Sequence, residues 1–139
     1  MKGLSFFDTN VIAYADDSSS PAKQAAAIEL IGRHQRDNSL VISLQVLQEY
    51  FVTATRKLSV DPAIAQSKVE ILARSRVVRF AEQDVIAAIE LHRLSRISFW
   101  DAMIVHAARS ANASVIYSED LSHGAYLAGV PVRNPFAGI

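Results

Sequence analysis

Residues 4–10 read Leu-Ser-Phe-Phe-Asp-Thr-Asn, an apolar run long enough for a buried strand that ends abruptly on the carboxylate of Asp8. In open α/β sheets ligands sit in the crevice beyond the carboxyl ends of the strands, so an acid at that place is a site candidate. An aspartate there equally suits a local turn closed on its own backbone. The rest of the chain has to decide between them.

Working outward, strand and helix signals alternate to the end of the chain. Lys2–Phe7 reads as the first strand, followed by a short apolar turn over Val11–Ala15 and a polar patch over Asp16–Ser20. Ser20-Pro21 is a helix start, with proline at the first helical position, and the apolar content of that helix fades near Arg36. Leu40-Val41-Ile42 is a β-branched run, and Ser43 caps a helix whose Leu47, Tyr50, Phe51, Ala54 and Leu58 keep helical spacing. Asp61-Pro62 opens a helix to about Ala73, Val77–Phe80 reads as a strand, and a further helix runs from about Gln83 to Leu94. Ser98 caps Phe99–Ala111, apolar on most faces and therefore expected to be buried, and Ser114–Tyr117 is the next strand. The tail from Gly124 is full of breakers, and Val130–Arg133 is expected to add at most a short edge strand. The alternation predicts an α/β fold with a mainly parallel sheet flanked by helices, in one domain over residues 1–139.

Composition narrows the chemistry. Half of the 139 residues are hydrophobic, which suits one core, and no apolar run approaches the roughly 18 to 20 residues of a membrane span. The N-terminal apolar stretch is cut short by Asp8, too soon for a secretory signal, so a cytoplasmic protein with no membrane partner is expected. With no cysteine there is no disulfide, iron–sulfur or thiolate zinc site, and His34, His92, His106 and His123 lack zinc-ligand spacing. Fourteen basic residues balance fourteen acidic ones, against a dedicated sequence-reading DNA-binding module. The basic residues group at Arg56/Lys57, at Arg74, Arg76 and Arg79, and at Arg93/Arg96, each of which also suits a solvated surface.

Five acids fall at strand or helix ends or on the helix after the second strand: Asp8, Glu49, Asp101 and the pair Glu119-Asp120. Each has an ordinary explanation, a solvated helix position for Glu49, a first-turn helix acid for Asp101, and a turn or cap for Asp120. In a parallel sheet, however, Asp8 and Asp120 leave at the same edge, and the helix carrying Glu49 can reach it. Crowded carboxylates repel unless a cation holds them ionised, and without nearby lysine a divalent metal is the simplest partner. Mg²⁺ and Mn²⁺ suit carboxylate and water ligands and leave room for a phosphate, pointing to phosphodiester hydrolysis.

On these residues the chain resembles the PIN-domain family, and within it the VapC-type toxins of bacterial toxin–antitoxin modules. The resemblance runs nearly end to end and rests on Phe7-Asp8-Thr9-Asn10, Glu49, Phe99-Trp100-Asp101-Ala102 and Tyr117-Ser118-Glu119-Asp120-Leu121. It implies an α/β/α sandwich and a Mg²⁺- or Mn²⁺-dependent endoribonuclease site. Asp8, Glu49, Asp101 and Asp120 match the family's acidic quartet, with Asp8 and Asp101 as the surest metal ligands and Glu49 and Asp120 acting directly or through water. Asn10 and Ser118 match its supporting polar positions. Glu119 beside Asp120 is the competing fourth acid. The resemblance further implies a small antitoxin that blocks the groove, a homodimer, and DNA contact only through the antitoxin. Arg93 and Arg96 are assigned to substrate phosphates from their position ahead of the Asp101 motif.

Other α/β readings fit less well. A haloacid-dehalogenase-type phosphatase calls for a second acid where Asn10 stands, a receiver domain for an Asp where Ser43 stands, and no glycine-rich nucleotide loop is present. A 5′-exonuclease-like activity on structured nucleic acid needs extra elements for which the short chain leaves little room. The alternative of a different class is a PIN-like module that binds RNA or protein without cutting.

Overall fold

The computed structural model describes residues 3–121 and 126–139. Lys2, His123 and Gly124 lie outside the described residues. The strands β1 (Ser5–Phe7), β2 (Leu40–Ser43), β3 (Arg76–Val78), β4 (Val115–Tyr117), β5 (Tyr126–Leu127) and β6 (Val130–Arg133) form a sheet in the order β3-β2-β1-β4-β6-β5. Every pairing is parallel except β5 with β6. Helices α1 (Thr9–Tyr14), α2 (Pro21–Arg36), α3 (Leu44–Arg56), α4 (Pro62–Leu72), α5 (Glu82–Ser95) and α6 (Phe99–Ser110) flank it, giving an α/β/α sandwich.

The central strands are buried along their whole length, as parallel strands covered on both faces must be. Phe6, Val41, Ile42, Ile116 and Val132 supply the sheet's share of the core, and Val11, Ile12, Val46, Tyr50 and Val105 supply the helices' share. The chain leaves β1 for β2 and β3 on one side and returns for β4 on the other. The strand order therefore reverses between β1 and β4, which makes their carboxyl ends the crevice where an α/β sheet binds ligands. Phe7 pairs with Tyr117 at that edge, so Asp8 and Ser118 leave the sheet side by side.

The helix starts follow their caps. Ser43 accepts from the Val46 amide, Asp61 from Ala63 and Ser98 from Asp101. Three expectations need correction. The apolar stretch after Asn10 is a helix, not a turn: Asp8 caps it through the Thr9 amide, and Val11, Ile12 and Ala13 bury its inner face. The four-residue β6 is not an outer edge, for it lies between β4 and the two-residue β5. Helix α6 is buried through Ala102, Ile104, Val105, Ala107 and Ala108, but its first turn is not, and Trp100 is 61% exposed.

Away from the crevice, fully buried Tyr50 donates its hydroxyl to Asp16, which Lys68 also binds at 3.2 Å. This ties α3 and α4 to the loop after α1. At the far edge of the sheet, β3 is only three residues long, with exposed Arg76 at its start and exposed Arg79 just past its end.

Candidate active site

A groove of about 530 Å³ opens at the carboxyl edge of β1 and β4. Asp8, Glu49, Asp101 and Asp120 all line it, together with Thr9, Asn10, Gln45, Lys57 and Trp100. Four acids spread over more than a hundred residues of chain thus share one cleft.

Asp8 is the most buried of them, at 6% exposure. It follows β1 directly, so its backbone belongs to the core while its carboxylate faces the groove. One oxygen accepts from the Thr9 amide at 2.8 Å, and the other from the Ser118 hydroxyl at 2.8 Å. Desolvation pushes its carboxyl from 3.8 up to about 6, against the pull of the Ser118 and Thr9 hydrogen bonds; the charges of Glu49 and Asp120 push the same way as burial.

Asn10 stands between two of the acids. Its Nδ2 donates to Asp120 Oδ2 at 3.0 Å and lies 3.4 Å from Asp8 Oδ2, while its Oδ1 accepts from the Glu119 amide at 3.0 Å. Fully buried Ser118 donates to Asp8 and accepts from the amides of Asp120 and Leu121 at 3.2 and 3.1 Å, fixing the turn after β4. Asn10 and Ser118 thus each hydrogen-bond to an acid of the groove.

Glu49 reaches the groove because neighbouring Tyr50 is anchored in the core, which turns the preceding position of α3 toward the crevice. Thr9 Oγ1 donates to its Oε1 at 2.7 Å, and Gln45, one turn earlier, approaches its Oε2 at 3.3 Å. Sequence reasoning gave neither residue a role, although the i, i+4 spacing of Gln45 and Glu49 was a signal for one of them. Asp101 is the third residue of α6, its amide held by Ser98 Oγ at 3.0 Å and its side chain on the groove wall.

The competing acid Glu119 is engaged elsewhere. Lys23 Nζ lies 2.6 Å from its Oε2, and the Tyr14 hydroxyl donates to its Oε1 at 2.7 Å. Burial pushes its carboxyl up, but those two donors outweigh it and hold the group below its ordinary value. Of the adjacent pair, Asp120 shares the groove with the other three acids.

Arg93, in the last turn of α5, and Arg96, its left-handed C-cap, are exposed and do not line the groove. The cation that does is Lys57, at the C-cap of α3. Trp100, also missed, stands on the groove wall beside Asp101. An apolar residue in an apolar helix carries no mark that separates groove from core.

The all-oxygen donor set suits a hard divalent cation. Among the described residues no three His, Asp or Glu side chains are arranged as a ready cage for one ion. The fit is thus to an ion held by one or two carboxylates, with water and substrate oxygens completing its shell, the usual manner of Mg²⁺. Among the described residues no helix is long and apolar enough to cross a membrane.

The comparisons with known proteins agree with this architecture. A chain from a Klebsiella pneumoniae toxin–antitoxin complex superposes with a TM-score of 0.67 at 16% identity, over 95% of this chain and 98% of that one. Rickettsia felis VapBC2, solved with a promoter DNA fragment, gives 0.67 at 20% identity, over 94% and 98%. Mycobacterium tuberculosis VapC20, a sarcin–ricin-loop-cleaving toxin, gives 0.63 at 22% identity, over 84% and 89%. No curated protein sequence matches the chain. The PIN domain family model matches residues 5–125, a span that takes in every acid of the groove, and the chain belongs to the PIN domain family.

Proposed function

We propose that the chain is a Mg²⁺- or Mn²⁺-dependent endoribonuclease, the toxin of a bacterial type II toxin–antitoxin module acting in the cytoplasm. The observation that carries this reading is the convergence of Asp8, Glu49, Asp101 and Asp120 on one groove at the strand-order reversal. The toxin–antitoxin complexes among its structural neighbours support a small antitoxin as partner, and in this reading the antitoxin alone supplies any DNA contact. A homodimer of the toxin is part of the same proposal.

In this reading Asp8 and Asp101 hold the cation, with Glu49 and Asp120 completing the acidic pocket directly or through water. The bound ion would supply an activated water and charge stabilisation for the phosphodiester. The protein's own part is positional. Thr9 and Gln45 fix the Glu49 carboxylate, Ser118 and Thr9 fix that of Asp8, and Asn10 holds Asp120 at a set distance from Asp8. Lys57 meets a substrate phosphate in the groove, and Arg93 and Arg96, outside it, meet phosphates of a longer strand.

The test is cleavage of an end-labelled RNA pool by inhibitor-free protein with and without Mg²⁺ or Mn²⁺, beside a folded Asp8→Asn/Asp101→Asn double variant. Internal cuts that need the metal and vanish in the variant support the reading. Binding without cleavage by the intact protein replaces it with a non-cutting RNA- or protein-binding module.

A further inference from the structure

We propose that the chain carries a second ligand site, at the sheet edge opposite the acidic groove, which takes a nucleoside monophosphate without any metal. The inference goes beyond the nuclease reading and does not depend on it.

Three observations carry it. The first is a cavity of about 600 Å³ at the amino ends of the parallel strands β2 and β3, which begin with Leu40 and Arg76. It lies between the last turns of α2 and α4, and its size falls within the range of about 300–1,000 Å³ usual for small-molecule sites. One wall is held in place. His34 Nδ1 lies 2.6 Å from Ser39 Oγ, and the imidazole meets the rings of Phe7 and Tyr117 edge-on, with centroids 5.2 and 5.7 Å away.

The second is charge. Arg74 and Arg76 line this cavity and, among the described residues, no carboxylate does, the reverse of the four-acid groove. Arginines that follow a helix ordinarily complement the carbonyls at its end. Here the main chain already does so. The carbonyls of Arg33, His34 and Gln35 accept from following amides at 2.9 to 3.3 Å, and those of Val69, Ile71 and Leu72 do the same at 2.8 to 3.1 Å. Both guanidinium groups are exposed and, among the described residues, have neither a hydrogen-bond nor an ion-pair partner. Two unengaged guanidinium forks on one cavity suit a phosphate dianion. The third observation is the remaining lining, apolar Leu40 and Ile71 with the side-chain amides of Gln35 and Asn38. A bare phosphate uses none of these. A phosphate joined to a planar body with donors and acceptors on its edge uses them all, and that describes a nucleoside monophosphate.

The experiment is calorimetric titration of the intact protein, in EDTA and a phosphate-free buffer, with AMP, UMP, adenosine and inorganic phosphate. EDTA removes any metal through which a nucleotide could reach the groove acids, so the heat reports on the opposite edge. The expected result is saturable binding of AMP or UMP, one per chain, with Kd at or below about 1 mM, and at least tenfold weaker binding of adenosine and of inorganic phosphate. Arg74→Gln/Arg76→Gln should weaken nucleotide binding at least tenfold with an unchanged thermal midpoint. Arg109→Gln, an exposed arginine outside the cavity, should leave it unchanged. Ile71→Glu sets a carboxylate at an exposed position of the lining and should abolish binding. Four results overturn the proposal: no nucleotide binding in that range, adenosine or inorganic phosphate binding as tightly as the nucleotide, binding that survives the arginine and Ile71 variants, or binding that appears only with Mg²⁺ and so belongs to the groove.

Discussion

Thr9 and Glu49, forty residues apart in sequence, are joined by a 2.7 Å hydrogen bond from the threonine hydroxyl to the glutamate Oε1. The bond fastens the first residue of α1 to the middle of α3 and sets the distance between Asp8 and Glu49 across the groove. Thr9→Val keeps shape and removes the donor. RNA cleavage should fall roughly 10- to 100-fold, as when an orienting partner of a metal-site carboxylate is lost, with stability changed by less than about 1 kcal/mol. Thr9→Ser should retain most activity. Equal loss in both variants would show that the hydroxyl is not what matters.

Asp8 is held charged in the groove at a cost to the fold. Burial pushes its carboxyl up to about 6 in the folded protein, from 3.8 for an ordinary aspartate. Between those values the native state binds a proton that the unfolded chain does not, so stability falls as pH rises through that window and the penalty is complete above about 7. In EDTA, Asp8→Asn should therefore match the wild type near pH 4 and exceed it by about 3 kcal/mol at pH 8, on the order expected for a shift of a little over two units. Urea melts at the two pH values check this. Added Mg²⁺ should raise the melting temperature of the wild type at pH 8 and leave the variant unmoved.

The pair Glu119-Asp120 separates into a structural and a groove acid. Asp120→Asn should lower cleavage at least 100-fold with little change in melting. Glu119→Gln, which weakens the contacts to Lys23 and Tyr14, should cost about 1 kcal/mol of stability and less than threefold in activity. The reverse pattern would make Glu119 the fourth acid.

Lys57 should matter to every substrate, and Arg93 with Arg96 to long ones. Lys57→Ala should raise KM for a short oligoribonucleotide several-fold, leave kcat unchanged, and reduce the salt slope by about one. Arg93→Ala/Arg96→Ala should leave the short substrate unaffected and weaken only strands that extend beyond the groove. An unchanged salt slope for both variants on long RNA would remove these side chains from the interface.

Much of this arrangement is legible in the sequence because its signals are local. The apolar runs ending at Phe7 and Ile42 mark parallel strands, and Ser43, Asp61 and Ser98 mark helix starts that the structure keeps within a residue or two. Helix α1 escaped because six residues are too few to display a helical period, and the same Asp8 that caps it was already accounted for as a site residue. Pro131 made β6 look like an edge, yet its outer neighbour is only two residues long, so little pairing is asked of that side. The meeting of four acids could be expected from strand direction. Which atoms hold them could not, since Thr9 to Glu49, Asn10 to Asp120 and Lys23 to Glu119 are contacts between distant segments. Trp100 shows the opposite limit, where helix hydrophobicity suggested burial and the groove left the ring outside.

The far border of the sheet has its own role. A protein with a formal net charge of zero has no long-range repulsion to keep its copies apart in a crowded solution, so open strand borders are where stray pairing would begin. Strand β3 answers this by being three residues long, with the cationic side chains of Arg76 at its start and Arg79 just past its end. Another copy approaching that border meets the same two positive charges, which keeps the molecule from templating β-aggregates without requiring a charged surface overall.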